Sequence, residues 1–372
     1  MILKVVNILR AINEVAPFYL AEEWDNSGLQ IGHYDWPVKK IWIALDPLPE
    51  VIYLACQNNV NLLITHHPLF FKPFNIIDFS KPLGQIIELA TLHKLAIISV
   101  HTNLDSAQGG LCDVFAEYIG ITNTSILSKP IEEKKYKFVV YVPLEAEEKV
   151  LSAFFKTKLG KIENYTSCSF RNIGKGTFLP NDKSTPYIGK IGEFSNVDEL
   201  RIEIIVKQDE IKILLDEIKK VHPYETVAYD IYPLMSSNEL GGLGRIGHLS
   251  QAMTLINIAS HIKNIFKLSS VKVSGNKDLL VSKAAICPGS GSSLIKKFFN
   301  SDAQVFITGD LNYHNARDAE ALNKGLIDIG HFGSEYIVVE FLENKLKTIL
   351  SEMGANVIVE ACRIEKDPFS VI

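Results

Sequence analysis

The chain has few cysteines and no long apolar run, and each absence argues against a class of protein. Five cysteines in 372 residues, with no Cys-x-x-Cys pair, indicate neither a disulfide framework nor a zinc ribbon. The apolar stretch at residues 1–20 is interrupted by Lys4, Arg10 and Glu14, which breaks up any signal-peptide core. No run approaches the roughly 18 apolar residues that a membrane span needs. We therefore expect a cytoplasmic protein without a membrane partner.

The chain also lacks an excess of basic residues. Its 38 Lys and Arg against 43 Asp and Glu leave a formal net charge of -5. Affinity for nucleic-acid backbones needs clustered positive charge, so the composition disfavours nucleic acid as a partner. The hydrophobic share of 47% and the charged share of 22% are ordinary for a globular chain, whose length suggests two or three domains.

Turn residues and a change of pattern divide the chain into three parts. In residues 1–128 and 241–372, short apolar runs alternate with helical patterns, which is typical of βαβ units and mostly parallel sheets. Residues 129–240 show the order βαββαβ of a ferredoxin-like domain between turn-rich ends. The predicted fold class is α/β, with mixed or mostly parallel sheets flanked by helices in a split domain and an inserted ferredoxin-like α+β domain.

Some local patterns in the third part predict structure more than chemistry. Periodicity indicates helices at residues 251–266 and 335–353. Asp310 follows a strand and is predicted to cap the next helix. The Gly- and Ser-rich residues 287–293 lack the Gly-Lys-Ser/Thr ending of a P-loop, so we interpret them as a tight turn and not as a phosphate site.

Three short clusters of metal-ligating residue types each follow an apolar run that is predicted to be a buried strand. They are Thr65-His66-His67-Pro68, His101-Thr102-Asn103-Leu104-Asp105 and Gly330-His331-Phe332-Gly333-Ser334-Glu335. Ligands of open α/β sheets bind at the ends of strands. Four of the ten histidines are therefore expected at one rim, together with two carboxylates.

This combination of side chains predicts a metal centre. Imidazole and carboxylate suit zinc, iron, manganese or nickel, and we favour zinc. Five or six ligands exceed the three protein ligands of a mononuclear catalytic zinc site, so the number favours two metals. His66 and His67 either serve one site after a turn or hold one metal each. Glu335, predicted in the first turn of a helix, is placed to bridge two cations. A single histidine at a strand end is more often structural. A metal site is favoured here only because three clusters occur in matching positions after predicted strands.

Four blocks of the sequence resemble a known family. They are Glu23-Trp24-Asp25-Asn26-Ser27-Gly28-Leu29-Gln30-Ile31-Gly32, Ile64-Thr65-His66-His67-Pro68-Leu69, Val100-His101-Thr102-Asn103-Leu104-Asp105 and Gly330-His331-Phe332-Gly333-Ser334-Glu335. The family is the dinuclear-metal family called NGG-interacting factor three-like, whose bacterial members are named GTP cyclohydrolase type 2 homologues. The block at residues 222–226, His-Pro-Tyr-Glu-Thr, resembles the PII-like middle domain of its longer members.

The resemblance implies a ligand set and an assembly. It implies that His66, His67, Asp105, His331 and Glu335 hold two divalent metal ions, with Glu335 bridging. His101 matches a family histidine beside the site, for which we predict either a catalytic role or a role in supporting the metal ligands. The resemblance also implies a toroidal homohexamer.

The sequence leaves two functions open. The first is a metal-dependent hydrolase of the GTP cyclohydrolase type 2 kind, which opens the imidazole ring of a guanine nucleotide. The second is a non-enzymatic metal-binding regulatory or scaffold protein whose PII-like insert senses a ligand or partner. Two smaller alternatives stay open as well. Residues 24–32 either wall the pocket, holding substrate through Trp24 or Asn26, or form a structural turn. His222 and Glu225 either bind a metal or end a helix.

Overall fold

Residues 2–132, 134–208, 210–235 and 239–371 are described by a computed structural model of the chain. The chain divides into two units, which we call the outer unit (Met1–Ile131 with Leu240–Ile372) and the insert unit (Glu132–Glu239). The sequence predicted an insert at residues 129–240. Among the described residues, no helix combines the length and apolar character needed to cross a membrane.

The first segment of the outer unit alternates short strands with helices. Its elements are β1 (Leu3–Lys4), α1 (Val5–Val15), β2 (Gly28–Ile31), β3 (Pro37–Val38), β4 (Lys40–Ala44), α2 (Pro49–Gln57), β5 (Leu62–Thr65), α3 (Pro82–Leu92), β6 (Ala96–Ser99), α4 (Thr102–Ser106), α5 (Leu111–Tyr118), β7 (Ile121–Ile126) and β8 (Ile131–Glu132). Pro49 and Pro82 each stand at the first turn of a helix, where a missing N–H costs nothing.

The insert unit is a four-stranded antiparallel sheet with two helices. Its elements are β9 (Lys135–Pro143), α6 (Glu147–Thr157), β10 (Phe170–Phe178), β11 (Ser195–Lys207), α7 (Glu210–Lys219) and β12 (Tyr229–Leu234). The strand order is β10-β11-β9-β12, which with the element order βαββαβ is ferredoxin-like. Alternate residues of β9 and β11, such as Phe138 and Ile202, pack with the helices into a core of their own.

The second segment of the outer unit resumes the alternation. Its elements are β13 (Glu239–Gly241), β14 (Arg245–Thr254), α8 (Leu255–Ile265), β15 (Lys272–Ser274), β16 (Leu280–Ser290), α9 (Ile295–Phe299), β17 (Val305–Gly309), α10 (Tyr313–Ala321), β18 (Gly325–Asp328), α11 (His331–Glu335), α12 (Ile337–Glu352) and β19 (Ile358–Ala361).

Two mixed sheets organise the outer unit. One has the order β19-β4-β5-β6-β2, in which the first four strands are parallel and β2 is antiparallel. The other has the order β15-β18-β17-β16-β14-β7, in which β16, β17 and β18 are parallel. Strand β19 comes from the second segment and β7 from the first, so each segment completes the sheet of the other. The two segments therefore fold as one unit.

Both sheets are buried on two faces, which explains their continuous apolar strands. In β5, Leu62 and Ile64 face a core with α1 and α12, while Leu63 faces a second core with α2 and α3. In the six-stranded sheet, Ile307 packs with α5 and α8, while Phe306 packs with α9 and α10. Parallel strands that are covered by helices on both sides have this pattern.

The predicted mixed α/β fold class is confirmed, and two element predictions were wrong in part. Residues 251–254 extend β14, so the helix predicted at 251–266 starts at Leu255. The helix predicted at 335–353 is preceded by the separate short helix α11, which begins at His331. The predicted cap Asp310 also does not cap: it has a φ of 56°, and Asn312 caps α10 instead. At residues 253–254, pairing of β14 with β16 overrides the local helical pattern.

Candidate metal centre

The candidate centre lies where the carboxyl ends of parallel strands from both sheets meet. From the five-stranded sheet, β5 leads directly into His66 and His67, and β6 leads into His101 by way of Val100. Ligand crevices of α/β sheets form at this edge because the chain leaves the sheet there and exposes polar side chains. Asp105 follows one turn later in α4, whose residues are all buried.

The six-stranded sheet contributes the opposite side. Two residues separate the end of strand β18 from His331, and α11 then carries Glu335 one helical turn further on. Gly330 has a φ of +80°, which a residue with a side chain rarely adopts, and it turns the chain from strand to helix. This turn places His331 and Glu335 on one helical face, with their Nε2 and Oε2 atoms 2.9 Å apart.

The four histidines share one orientation, because each Nδ1 faces an oxygen acceptor. The pairs are His66 with Val100 O at 2.8 Å, His67 with Asp46 Oδ1 at 2.7 Å, His101 with Asp25 Oδ1 at 2.8 Å and His331 with Asp310 Oδ2 at 2.7 Å. Such acceptors place the hydrogen on Nδ1 and leave Nε2 to bind a cation or take a second proton. Metal-ligating histidines are held in this way.

The Nε2 atoms converge on the Glu335 carboxylate. Its Oε2 lies 3.0 Å from His67 Nε2 and 2.9 Å from His331 Nε2, and these two nitrogens are 3.2 Å apart. Its Oε1 lies 3.7 Å from His66 Nε2, which in turn is 3.6 Å from Asp105 Oδ1. The two carboxylate oxygens thus face different histidines. A carboxylate that bridges two cations is oriented in this way.

Several of these atoms are buried without a suitable partner in the described part of the chain. His66 Nε2, Asp105 Oδ1 and Glu335 Oε2 are inaccessible to water and make no well-aligned hydrogen bond there. A buried polar atom left unpaired costs about 1–3 kcal/mol, so proteins rarely leave three together. Bound cations would satisfy these atoms. The residues present therefore fit a metal site, although no metal identity or number follows from this.

Two sets of ligand atoms are close enough to hold a metal ion. One comprises His66, His67 and His101, and the other comprises His67, His331 and Glu335, with each set's atoms within 4.8 Å of one another. His67 is common to both sets. The structure thus places His101 near potential metal ligands, and the catalytic role predicted for it stays a prediction.

Close contacts and burial shift the pKa values of several groups in the centre. Burial opposes a charge on His67, but its contacts with Asp46 and Glu335 outweigh burial and raise its pKa to about 10. The contact with Glu335 raises the pKa of His331 to about 9. Burial raises the pKa of Asp105 to about 7, with repulsion from Glu335 adding to the effect. Metal binding at this centre must therefore displace protons.

Glu335 itself is the strongest anion of the centre. Burial alone would favour its neutral form, yet contacts with His331, His66 and His67 hold its pKa well below the usual value. Gly289, at the end of β16, approaches it closely: a Cβ at this position would overlap Glu335 Oε1 and lie 3.4 Å from His331 Nε2. The segment predicted as a tight turn thus also forms one wall of the centre.

A second layer of carboxylates supports the histidines from outside. Glu365, in the irregular segment after β19, is buried and accepts hydrogen bonds from Leu45 N at 2.9 Å and Asp46 N at 2.8 Å. Asp46 in turn accepts from His67. The carboxyl-terminal segment therefore helps to orient a candidate metal ligand.

Asp25 has the same function on the other side. Besides His101 Nδ1, it accepts from Thr102 Oγ1 at 2.6 Å and Ser27 Oγ at 2.8 Å. Burial favours its neutral form, but these hydrogen bonds and the neighbouring His101 lower its pKa overall. The turn at residues 24–28 is thus both structural and part of the centre.

Comparison with known proteins identifies the family once this geometry is known. The family model described as Duf34/NIF3 (NGG1p interacting factor 3) matches residues 3–368. The chain belongs to the Duf34/NIF3 family. It is 35% identical over 365 residues to a Bacillus subtilis protein named GTP cyclohydrolase 1 type 2 homolog, with 98% of each chain covered.

Solved structures of relatives extend the similarity to the whole fold. A Bacillus cereus protein related to NIF3 has a TM-score of 0.78 and 36% identity, with all of both chains covered. A Staphylococcus aureus protein has a TM-score of 0.78 and 30% identity over all of this chain and 99% of its own. The predicted family resemblance is confirmed.

The sequence-predicted site residues of this Duf34/NIF3 chain all lie together. They are His66, His67, His101, Asp105, His331 and Glu335. The supporting carboxylates were missed. Asp310 directly follows the parallel strand β17, and Asp46 follows the parallel strand β4 after one residue, which was a usable signal. Glu365 lies in an irregular segment and gave none.

The second candidate cluster, in the insert unit, is structural. His222 Nε2 donates to Tyr141 O at 2.9 Å, and its Nδ1 accepts from Tyr224 N at 3.1 Å. Burial lowers the pKa of His222, so the neutral form that these two bonds require is favoured. Both ring nitrogens are occupied. Glu225 accepts from Thr185 N at 2.9 Å, and with both nitrogens of His222 in use the pair does not form a metal site.

Proposed function

We propose that this chain is a dinuclear metal-dependent hydrolase that acts on a nucleotide, with hydrolytic opening of the guanine imidazole ring as its reaction. The observation that carries the proposal is the position of the Glu335 carboxylate, whose oxygens face His66 on one side and His67 with His331 on the other. The name of the Bacillus subtilis relative, GTP cyclohydrolase 1 type 2 homolog, points to the substrate class.

In this proposal each half of the centre holds one cation. His66, Asp105 and Glu335 Oε1 would hold the first, and His67, His331 and Glu335 Oε2 the second. When bound there, two cations would supply a water molecule of lowered pKa and would polarise the atom under attack. Zinc is proposed first, with iron, manganese and nickel as alternatives that the same nitrogen and oxygen ligands accept.

The protein's own contribution to proton movement falls to His101. Its Nδ1 hydrogen is held by Asp25, which fixes the ring and leaves Nε2 free to exchange a proton at the centre. The ring centroid lies 5.2 Å from that of His66 and 5.5 Å from that of His67. Only 8% of His101 is exposed, so a proton on Nε2 is directed toward the centre and not into bulk water.

Metal content per chain, measured by elemental analysis of the protein as purified, tests the centre. We expect about two first-row metals per chain, with a loss in His67→Ala and in Glu335→Ala. His314→Ala is the matched control, because His314 is exposed on α10 and outside the centre. An absence of metal, or a content that none of the variants changes, would leave the histidine clusters purely structural.

Turnover of GTP by the metal-loaded protein tests the substrate. We expect the guanine absorbance to change as its imidazole ring opens, and His101→Ala to slow this change while two metals remain bound. A protein that holds two metals and leaves GTP intact would remove the substrate but keep the centre.

A regulatory protein is the second candidate, and the domain organisation favours it. None of the described residues of the insert unit belongs to the candidate centre. In this alternative the insert, proposed as PII-like, senses a ligand or partner. Removal of residues 132–239 distinguishes the two: unchanged turnover supports an enzyme with an accessory domain.

We further propose a cytoplasmic toroidal homohexamer, whose number of subunits sedimentation equilibrium tests.

A further inference from the structure

Two large aromatic side chains remain exposed beside the candidate centre. Trp24 is 62% exposed and Phe71 is 53% exposed, although most rings of this size are buried in folded proteins. Trp24 lies in the turn before β2, and Phe71 lies in the loop between β5 and α3. We call these two residues the aromatic rim.

Both rings contact the same histidine of the centre. The Trp24 ring centroid is 5.8 Å from that of His101 with an interplanar angle of 78°, and the Phe71 centroid is 5.7 Å from it with an angle of 89°. An edge-to-face contact covers at most one face of a ring, so each ring keeps exposed area. Phe71 also lies 6.5 Å from the His67 ring. The aromatic rim therefore lies directly beside two histidines of the candidate centre, His101 and His67.

Hydrogen bonds hold the two segments of the rim together. Asn26 Nδ2 donates to Phe70 O at 2.8 Å and to Gln30 Oε1 at 3.2 Å, while Phe70 N donates to Gln30 Oε1 at 3.4 Å. These bonds connect the neighbours of Trp24 with the neighbour of Phe71. The two backbone segments that carry the rings are thus joined before any ligand arrives, which reduces the entropy cost of binding.

We infer that the aromatic rim binds the planar heteroaromatic ring of the ligand while its anionic end faces the metal centre. A site that places an apolar aromatic wall beside a polar, cation-binding centre matches an amphiphilic ligand of this kind. Every nucleobase has a flat π-face that stacks on aromatic side chains. The inference rests on the nucleotide class proposed above, but it does not require turnover.

The test compares a ligand that has the ring with one that lacks it. Binding of GTP and of inorganic tripolyphosphate to the metal-loaded full chain is measured by calorimetry for the unmodified protein, Trp24→Ala and Phe71→Ala. We expect each variant to bind GTP between about 5-fold and 150-fold more weakly, the loss typical of one stacked base, with tripolyphosphate affinity unchanged. Trp24→Phe keeps a ring and is expected to recover most of the affinity. Tyr53→Ala removes an exposed ring on α2 and is the matched control.

Fluorescence gives an independent readout. Trp24 is the exposed member of the chain's three tryptophans, since Trp36 and Trp42 are partly buried. GTP is expected to quench its emission, and the quenching is expected to vanish in Trp24→Phe but not in Trp42→Phe.

Three results would overturn the inference. The first is a GTP affinity no tighter than that of tripolyphosphate, and the second is an equal loss of affinity for both ligands in the rim variants. The third is a change of oligomeric state in Trp24→Ala, which would make the aromatic rim an interface between copies of the chain. Turnover is judged separately. If GTP binds through the aromatic rim but does not react, the hydrolase proposal is wrong and the rim inference stands. If both alanine variants show normal GTP turnover and affinity, the rim inference is wrong and the hydrolase proposal stands.

Discussion

Glu365 offers a sharp test of how the centre is supported, because it acts on a ligand without touching the metal site. Its carboxylate accepts two backbone N–H groups, from Leu45 and Asp46, and it is 7% exposed. In Glu365→Gln one of the two acceptor oxygens becomes an NH₂ group, which cannot accept. One buried N–H then loses its partner, at a cost of about 1–3 kcal/mol.

Glu365→Gln affects metal binding through the hydrogen bond between Asp46 and His67. Asp46 can relieve the unpaired N–H by moving its backbone, and its side chain then no longer holds His67 Nδ1 at 2.7 Å. Loss of such an outer partner typically costs roughly 10- to 100-fold in metal affinity. Only the half of the centre that contains His67 and His331 is affected directly. We therefore expect Glu365→Gln to lower the affinity for one metal of two.

Cobalt titration measures this effect. Co²⁺ is added to the metal-free protein, and the visible absorption reports the occupancy and the ligand geometry of each half separately. Asp367→Asn is the control, because it removes a carboxylate from the same segment on the exposed surface. A folded Glu365→Gln protein with two unchanged cobalt affinities would refute the reasoning. Equal loss at both halves would contradict the proposed assignment of His67 to one half alone.

Three further predictions concern the same unit. Gly289→Ala is expected to lower metal content, because its Cβ overlaps the Glu335 carboxylate; elemental analysis measures this. For the metal-free protein, the folded pKa values of His67 and His331 lie above the usual 6.5, so their contribution to stability is full below pH 6.5 and is lost as pH rises toward about 9 to 10. Urea titrations across this range are expected to show that loss, while metal affinity increases. Arg245→Met is expected to lower the free energy of unfolding by about 3 kcal/mol, because the half-buried Asp113 carboxylate and three backbone carbonyls lose the donors of the buried guanidinium; the urea midpoint measures this.

Each of these predictions has a matched control. Gly354→Ala has the same φ of +64° but open space around the added Cβ, so normal metal content is expected there and a loss would point to backbone strain alone. Replacing both His67 and His331 with Gln should flatten the pH dependence, and an unchanged slope would contradict the assignment. Arg317→Met removes an exposed guanidinium and is expected to leave the urea midpoint unchanged. A similar urea midpoint for Arg245→Met and Arg317→Met would argue against a stabilising role of the contact between Arg245 and Asp113.

The sequence predicts strands that are buried on both faces, but not a strand that is mostly exposed. Strands β5, β6, β17 and β18 were predictable, because they are continuous apolar runs that are buried on both faces. Strand β7 was not, because four of its six residues are exposed and polar. Its pairing with β14 exists only when the second segment of the chain lies beside it.

The candidate site shows the same division. The sequence by itself determined the ligand types, since His-His-Pro, His-x-x-x-Asp and His-x-x-x-Glu follow directly after predictable strands and carry their own chemistry. Tertiary structure decided the orientation of three of the four histidine rings, because Asp25, Asp46 and Asp310 lie between 21 and 76 residues from the rings they orient. It also decided that Glu335 faces histidines on two sides, since the two sheets that supply them come together only in the folded outer unit. Short-range pattern specifies which groups are present, but long-range packing sets the distances that make them a centre.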